Sequence, residues 1–252
     1  MVQLLRARIT LISKPHEAFD HYRQAIDSLH EVLNLHPQLN TLRTSLIQAY
    51  LNSSLVTSGD YRSTESLKLL TQASEEISQL EDPQSPLSQL QQAKILLILA
   101  QQNTTEGNVE LVKKQLNSLK KIQQTTSLPI DLLAGIKSLQ AFLYWDQGYL
   151  TKAINTLTSS LESLENHLID SPKDLELLYR KASILWERST MQTRFDLSFK
   201  DALLASEVIE SIFQSPLSGQ YKFNLSKSLA ILYADLAYLC CLLYTSPSPR
   251  DA

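Results

Sequence analysis

The sequence predicts an all-α protein in which helical hairpins stack in series as a solenoid. Three observations carry that prediction. Only five of 252 residues are glycine, too few for turn-rich β architecture or for a phosphate-binding loop. Apolar residues recur at spacings of three and four throughout, as in "SLKLLTQASEEISQL", where Leu67, Leu70, Ala73, Ile77 and Leu80 form one stripe. No segment shows sustained alternation. The breaks between segments also differ in kind: a glycine-containing elbow ends one helix, and a proline-containing linker follows the next.

In chain order the breaks fall at "SKP" (13–15), "HPQLN" (36–40), "SGDYRS" (58–63), "EDPQSP" (81–86), "TTEGN" (104–108), "TTSLP" (125–129), "DQGY" (146–149), "DSPKD" (170–174) and "QSPLSGQ" (214–220). Five of the helical segments align on a small residue, or one in the same slot, followed by an apolar one. Their anchors are Ala18 in "EAFDHYRQAIDSL", Ser66 in "TESLKLLTQASEEI", Val112 in "VELVKKQLNSLKKI", Ala153 in "LTKAINTLTSSLESL" and Ala202 in "FKDALLASEVIESIF". Successive anchors are 48, 46, 41 and 49 residues apart. A period in that range is the signature of stacked helix pairs, each unable to bury its apolar face alone.

Composition and charge narrow the function. The chain is 43% hydrophobic with a formal net charge of −3, a globular composition without the basic footprint of a nucleic-acid binder. Lys113, Lys114, Lys120 and Lys121 stripe one helix face and read as solvated surface. "SLAILYADLAYLCCLLY" (228–244) has Asp235 in its middle and is too short to span a bilayer, so a buried helix is expected. Cys240 and Cys241 are adjacent and the only cysteines, so there is no disulfide framework and an intracellular location is expected. "LLYTSPSPRDA" resembles a translated sequencing adapter. Residues 1–242 are therefore expected to be a solenoid fragment of a longer array, and 243–252 a disordered, non-native tail.

No catalytic or metal constellation is visible. His30-Glu31 lacks a second histidine four residues on, and His21 and His30 lie on opposite sides of a helix. There is no Walker loop, GxSxG elbow or GxGxxG turn. No cofactor and no enzymatic activity are expected; a helical active site assembled from distant residues is the alternative reading.

The elbow "YWDQGYLTKAI" resembles the tetratricopeptide repeat, in which a first helix meets a glycine turn and a second helix opens on a small alanine. Ala141, Tyr144, Gly148, Ala153, Leu157 and Leu161 fall on that family's packing positions, and Ala100 and Gly107 match in another unit. Lys137 and Gln140 depart from it, standing where large apolar residues are usual. The resemblance implies a right-handed superhelical α-solenoid of about five hairpins plus a final helix, with a concave groove for an extended protein segment. Tyr179, Ala182 and Trp186 are then packing residues, and Phe142, Trp145, Asp146, Arg180, Ile184, Glu187 and Arg188 project into the groove. "GNVELVKKQLNSLKKI", a proline linker and "QGYLTKAINTLTSSLESLE" are similar to the helical-repeat subunits of cohesin-loading complexes. That similarity implies a nuclear scaffold acting in sister chromatid cohesion and holding the large loader subunit, with no direct contact to nucleic acid or membrane. Related patterns occur in subunits of the anaphase-promoting complex and of vesicle coats.

Overall fold

The computed structural model describes residues 15–58, 63–215 and 237. Among them the chain forms nine helices and no strand: α1 (Pro15–Leu35), α2 (Asn40–Ser58), α3 (Ser63–Ser78), α4 (Pro86–Thr105), α5 (Val109–Thr125), α6 (Ile130–Asp146), α7 (Leu150–Asp170), α8 (Leu175–Met191) and α9 (Phe195–Gln214). Every helix packs on the next in sequence, a helical-repeat-like arrangement, with the closest pairings α2 on α3, α4 on α5, α6 on α7 and α8 on α9. In each pair the first helix is called the A helix and the second the B helix. The apolar segment 228–244 and the tail 243–252 lie outside the described residues, apart from Ala237.

Two elbows share one geometry. Gly148 has φ +80° and Gly107 has φ +73°, left-handed conformations that glycine adopts without penalty. At the later elbow Gly148 N–H donates to the Trp145 carbonyl at 2.9 Å and Tyr149 N–H to Tyr144 at 2.8 Å. At the earlier one Gly107 N–H donates to Thr104 at 3.2 Å and Asn108 N–H to Asn103 at 2.9 Å. This paired pattern satisfies the carbonyls orphaned at a helix end. Between pairs, proline cannot continue a helix and starts the next one: Ser85 caps α4 ahead of Pro86, and Asp174 caps α8 by accepting from the Glu176 and Leu177 amides at 3.0 and 3.1 Å.

Ala18, Ser66, Val112, Ala153 and Ala202 are all essentially fully buried; the first four lie one turn into α1, α3, α5 and α7, whereas Ala202 lies a turn further into α9. Ser66 shows why a small polar residue suits its slot. Its hydroxyl donates to the Ser54 carbonyl on α2 at 3.1 Å and accepts from Gln102 Nε2 on α4 at 2.7 Å. In α3 the stripe holds for Leu70, Ala73 and Ile77, but Leu67 is half-exposed, one turn before the buried set.

The core is continuous from pair to pair. One cluster joins α1 to α4, a second joins α4 to α6, and a third runs from α6 to α9. Helices α4 and α6 contribute to two clusters each, Ile95 and Leu97 pointing to different neighbours, as do Ala141 and Leu143. Such helices are apolar on more than one side, whereas α5 and α7 bury a single stripe, Val112/Leu116/Leu119 and Ala153/Leu157/Leu161/Leu164. Polar ties reinforce the first pairs: Arg43 on α2 pairs with Glu76 and donates to Gln79 Oε1 at 2.7 Å, both on or just after α3. His30 Nε2 lies 2.5 Å from the Tyr50 hydroxyl. Burial, with Glu76, Asp27 and Glu75 nearby, pushes the Tyr50 phenol up to about 12.

Candidate partner-binding groove

Helices α4, α6 and α8 are the A helices of three successive pairs, and they touch each other directly. α4 packs on α6 and α6 on α8, while no comparable contact joins α5 to α7 or α7 to α9. Glycine makes the approach possible: a Cβ at Gly135 would sit 2.7 Å from Leu97 Cδ2 on α4 and 3.4 Å from Arg180 Cζ on α8. The C-terminal halves of α4 and α6 and a strip of α8 from Tyr179 to Met191 line one cavity of about 560 Å³.

That cavity has an aromatic wall and a polar floor. Phe142 and Trp145 on α6 lie with ring centroids 6.3 Å apart at 46°, and Tyr179 and Trp186 face them from α8. Trp145 is 49% exposed, an unusual state for the larger of the two ring systems in the wall. Gln101 and Thr104 close the α4 side. Glu187 is the one charged side chain among the lining residues. Burial pushes its carboxyl above the usual range, and the Ser138 hydroxyl and the Arg180 guanidinium pull in the opposite direction. Ser138 is 5% exposed and lines the same cavity.

Toward the N-terminal halves the A face becomes ionic. Glu176, at the start of α8, has its carboxyl raised first by partial burial and then by Asp131 on α6, with Lys94 on α4 and Arg180 opposing. Arg180 is thus placed between Glu176 and Glu187 and interacts with both. Its Nε is buried without a hydrogen-bond partner, as is Gln91 Oε1 on α4.

The structure sorts the seven residues proposed from sequence. Phe142, Trp145 and Glu187 line the cavity. Arg180 lies at the A-helix contact beside Gly135. Asp146 is exposed at the end of α6, where its charge acts on Lys113 of α5. Two assignments are corrected. Ile184 is fully buried in the α6–α9 core. Arg188 turns to the B-helix side, donating to both carboxylate oxygens of Asp201 on α9 and to Thr158 Oγ1 on α7 at 3.0 Å. Conversely, Tyr179 and Trp186 were assigned to packing; both do pack against the core, but both also line the cavity. The physical reason is that α8 is covered by α6, α7 and α9, so only a narrow strip through Tyr179, Ser183, Trp186, Glu187 and Thr190 stays open.

Among the described residues no three His, Cys, Asp or Glu side chains cluster as metal ligands, and no helix is long and apolar enough to cross a membrane. No family model, no curated protein and no solved structure matches this chain.

Proposed function

We propose that this protein is a non-catalytic interaction scaffold that holds an extended segment of a protein partner along its A-helix face. The observation that carries the reading is the cavity shared by α4, α6 and α8, walled by Phe142, Trp145, Tyr179 and Trp186. Contact between successive A helices without comparable contact between successive B helices bends an array toward the A side, which makes that side the concave one.

The finer form of the proposal is a right-handed tetratricopeptide-like superhelix of about five hairpins with a final helix. It is supported by the matched glycine elbows at Gly107 and Gly148 and by the buried anchors. The similarity of "GNVELVKKQLNSLKKI" and the following hairpin to cohesin-loader subunits supports the large loader subunit as the specific partner proposed here and the nucleus as its location. A partner from another large assembly, such as the anaphase-promoting complex or a vesicle coat, is the other outcome of the same capture.

The test is affinity capture from an extract of the source organism with wild-type protein and Trp145→Ala, followed by mapping of the partner segment that the complex protects from protease. Loss of Trp145 is expected to weaken binding by ~2 kcal/mol or more, as for a central interface tryptophan, with an unchanged melting temperature because the ring is half-exposed. A folded Trp145→Ala protein that binds the captured partner normally overturns the reading.

A further inference from the structure

The chemistry of the cavity selects its occupant. Its walls are π-faces: Phe142, Trp145, Tyr179 and Trp186. Aromatic faces attract a cation placed against them, most strongly where water is excluded. Its single charged lining group is a carboxylate, Glu187, on a half-buried stretch of α8. No lysine or arginine lines the cavity. The one cation acting on Glu187, Arg180, also interacts with Glu176, so one guanidinium is shared between two carboxylates. Beside Glu187, the buried Ser138 lines the same space and its hydroxyl favours the ionised carboxylate.

We infer that the cavity is the specificity pocket for a lysine or arginine side chain of the partner segment, its cation held against Trp145 and Trp186 and paired with the Glu187 carboxylate. This rests on the groove reading above and adds the anchor that sets the segment's position. An arginine suits the site in two ways. Its planar guanidinium stacks on indole, and its forked donors engage a carboxylate while the aliphatic stem lies along the aromatic wall. Burial raises the carboxyl of Glu187, so an unliganded pocket holds the charge at a cost that an incoming cation offsets.

Four fluorescein-labelled pools of acetylated, amidated decapeptides test the pocket, each randomised over neutral residues except for a fixed central arginine, lysine, norleucine or glutamate. Fluorescence anisotropy against the full chain reads affinity. The arginine and lysine pools are expected to bind at least about tenfold more tightly than norleucine, and the glutamate pool most weakly. Glu187→Gln, which keeps the shape of the side chain, is expected to erase the preference for the arginine and lysine pools over the norleucine pool. Equal binding of the norleucine and arginine pools to wild-type protein overturns the cationic pocket and leaves the groove reading standing. A cation preference that survives in folded Glu187→Gln overturns the pairing with Glu187. Failure of every pool to bind overturns both readings, and if choline alone then quenches the tryptophan fluorescence, the pocket serves a small free amine instead of a peptide.

Discussion

Arg188 on α8 grips Asp201 on α9 with two parallel hydrogen bonds, Nε to Oδ2 at 2.8 Å and Nη2 to Oδ1 at 2.7 Å. The side chains are 18% and 5% exposed, so the pair is largely withdrawn from water. A two-pronged pair of this kind fixes the spacing and rotation of the last described hairpin. It also identifies Arg188 as a structural residue of the α8–α9 pair.

Removing one partner leaves the other charge buried and unmatched. Arg188→Ala is expected to cost about 3 kcal/mol in chemical denaturation, more than a lost surface contact costs. Arg188→Met combined with Asp201→Leu removes both charges and is expected to recover most of that loss. A single mutant within about 0.5 kcal/mol of wild type would show that the pair contributes nothing.

Ala153 has no room for a larger side chain. It is fully buried where α7 opens against α6, five residues after Gly148. Ala153→Leu is expected to overpack the hairpin and cost ~1–3 kcal/mol. Val112 occupies the same position five residues after Gly107, and it too is fully buried. Val112→Ala is expected to cost about 1–2 kcal/mol through a cavity. Thermal melts of both variants check the shared geometry of the two elbows. An unshifted melting temperature for Ala153→Leu contradicts it.

The two elbow glycines test backbone against packing. A Cβ at Gly107 or Gly148 meets nothing within 4 Å, so only the left-handed backbone resists substitution. Alanine at either position is expected to destabilise by about 1–2 kcal/mol, and asparagine by less. Equal costs at the two sites would reflect the equal geometry; a large difference in denaturation midpoint would point to a contact at one site alone.

Glu187 predicts a pH dependence of stability. Its carboxyl is raised by burial, with Ser138 and Arg180 opposing. A raised carboxyl binds its proton more tightly in the folded than in the unfolded chain. Stability therefore falls as pH rises from the ordinary glutamate value near 4.3 through the raised one, and is level above it. Glu187→Gln does not titrate, so its stability relative to wild type should increase over that window. The two proteins should differ little below about pH 4. Above the window the glutamine variant should be more stable by about 1 kcal/mol, the scale of one under-partnered buried polar group. Urea denaturation at a series of pH values measures it. A difference that shrinks with rising pH contradicts the assignment.

The amino-acid pattern alone determined the class and the units. Helical periodicity is a local property, because neighbouring side chains at three and four residues share a face regardless of what lies opposite. The buried positions Ala18, Ser66, Val112 and Ala153 were legible for the same reason, since a tight helix pair admits only a small or slender residue one turn into these helices, while Ala202 falls a turn later in its own. The glycine elbows at 107 and 148 were legible from the left-handed turn they supply. What the open surface comprises was decided by the tertiary structure. Ile184 and Arg188 lie on the same helix as Trp186 and Glu187, and periodicity cannot say which part of that helix three packing neighbours will cover. Two of those neighbours, α6 and α9, approach from remote parts of the sequence or across an elbow without glycine, with Gly135 and Asp201 at the contacts. One signal was present and distinguishes the layers: α4 and α6 carry apolar residues around more than one face, while α5 and α7 carry a single stripe. A helix buried on two sides cannot be the outer one. That contrast, a consequence of how many neighbours each helix must satisfy, puts α4 and α6 on the inner layer, but the aromatic and acidic residues that meet across it come together only when the pairs stack.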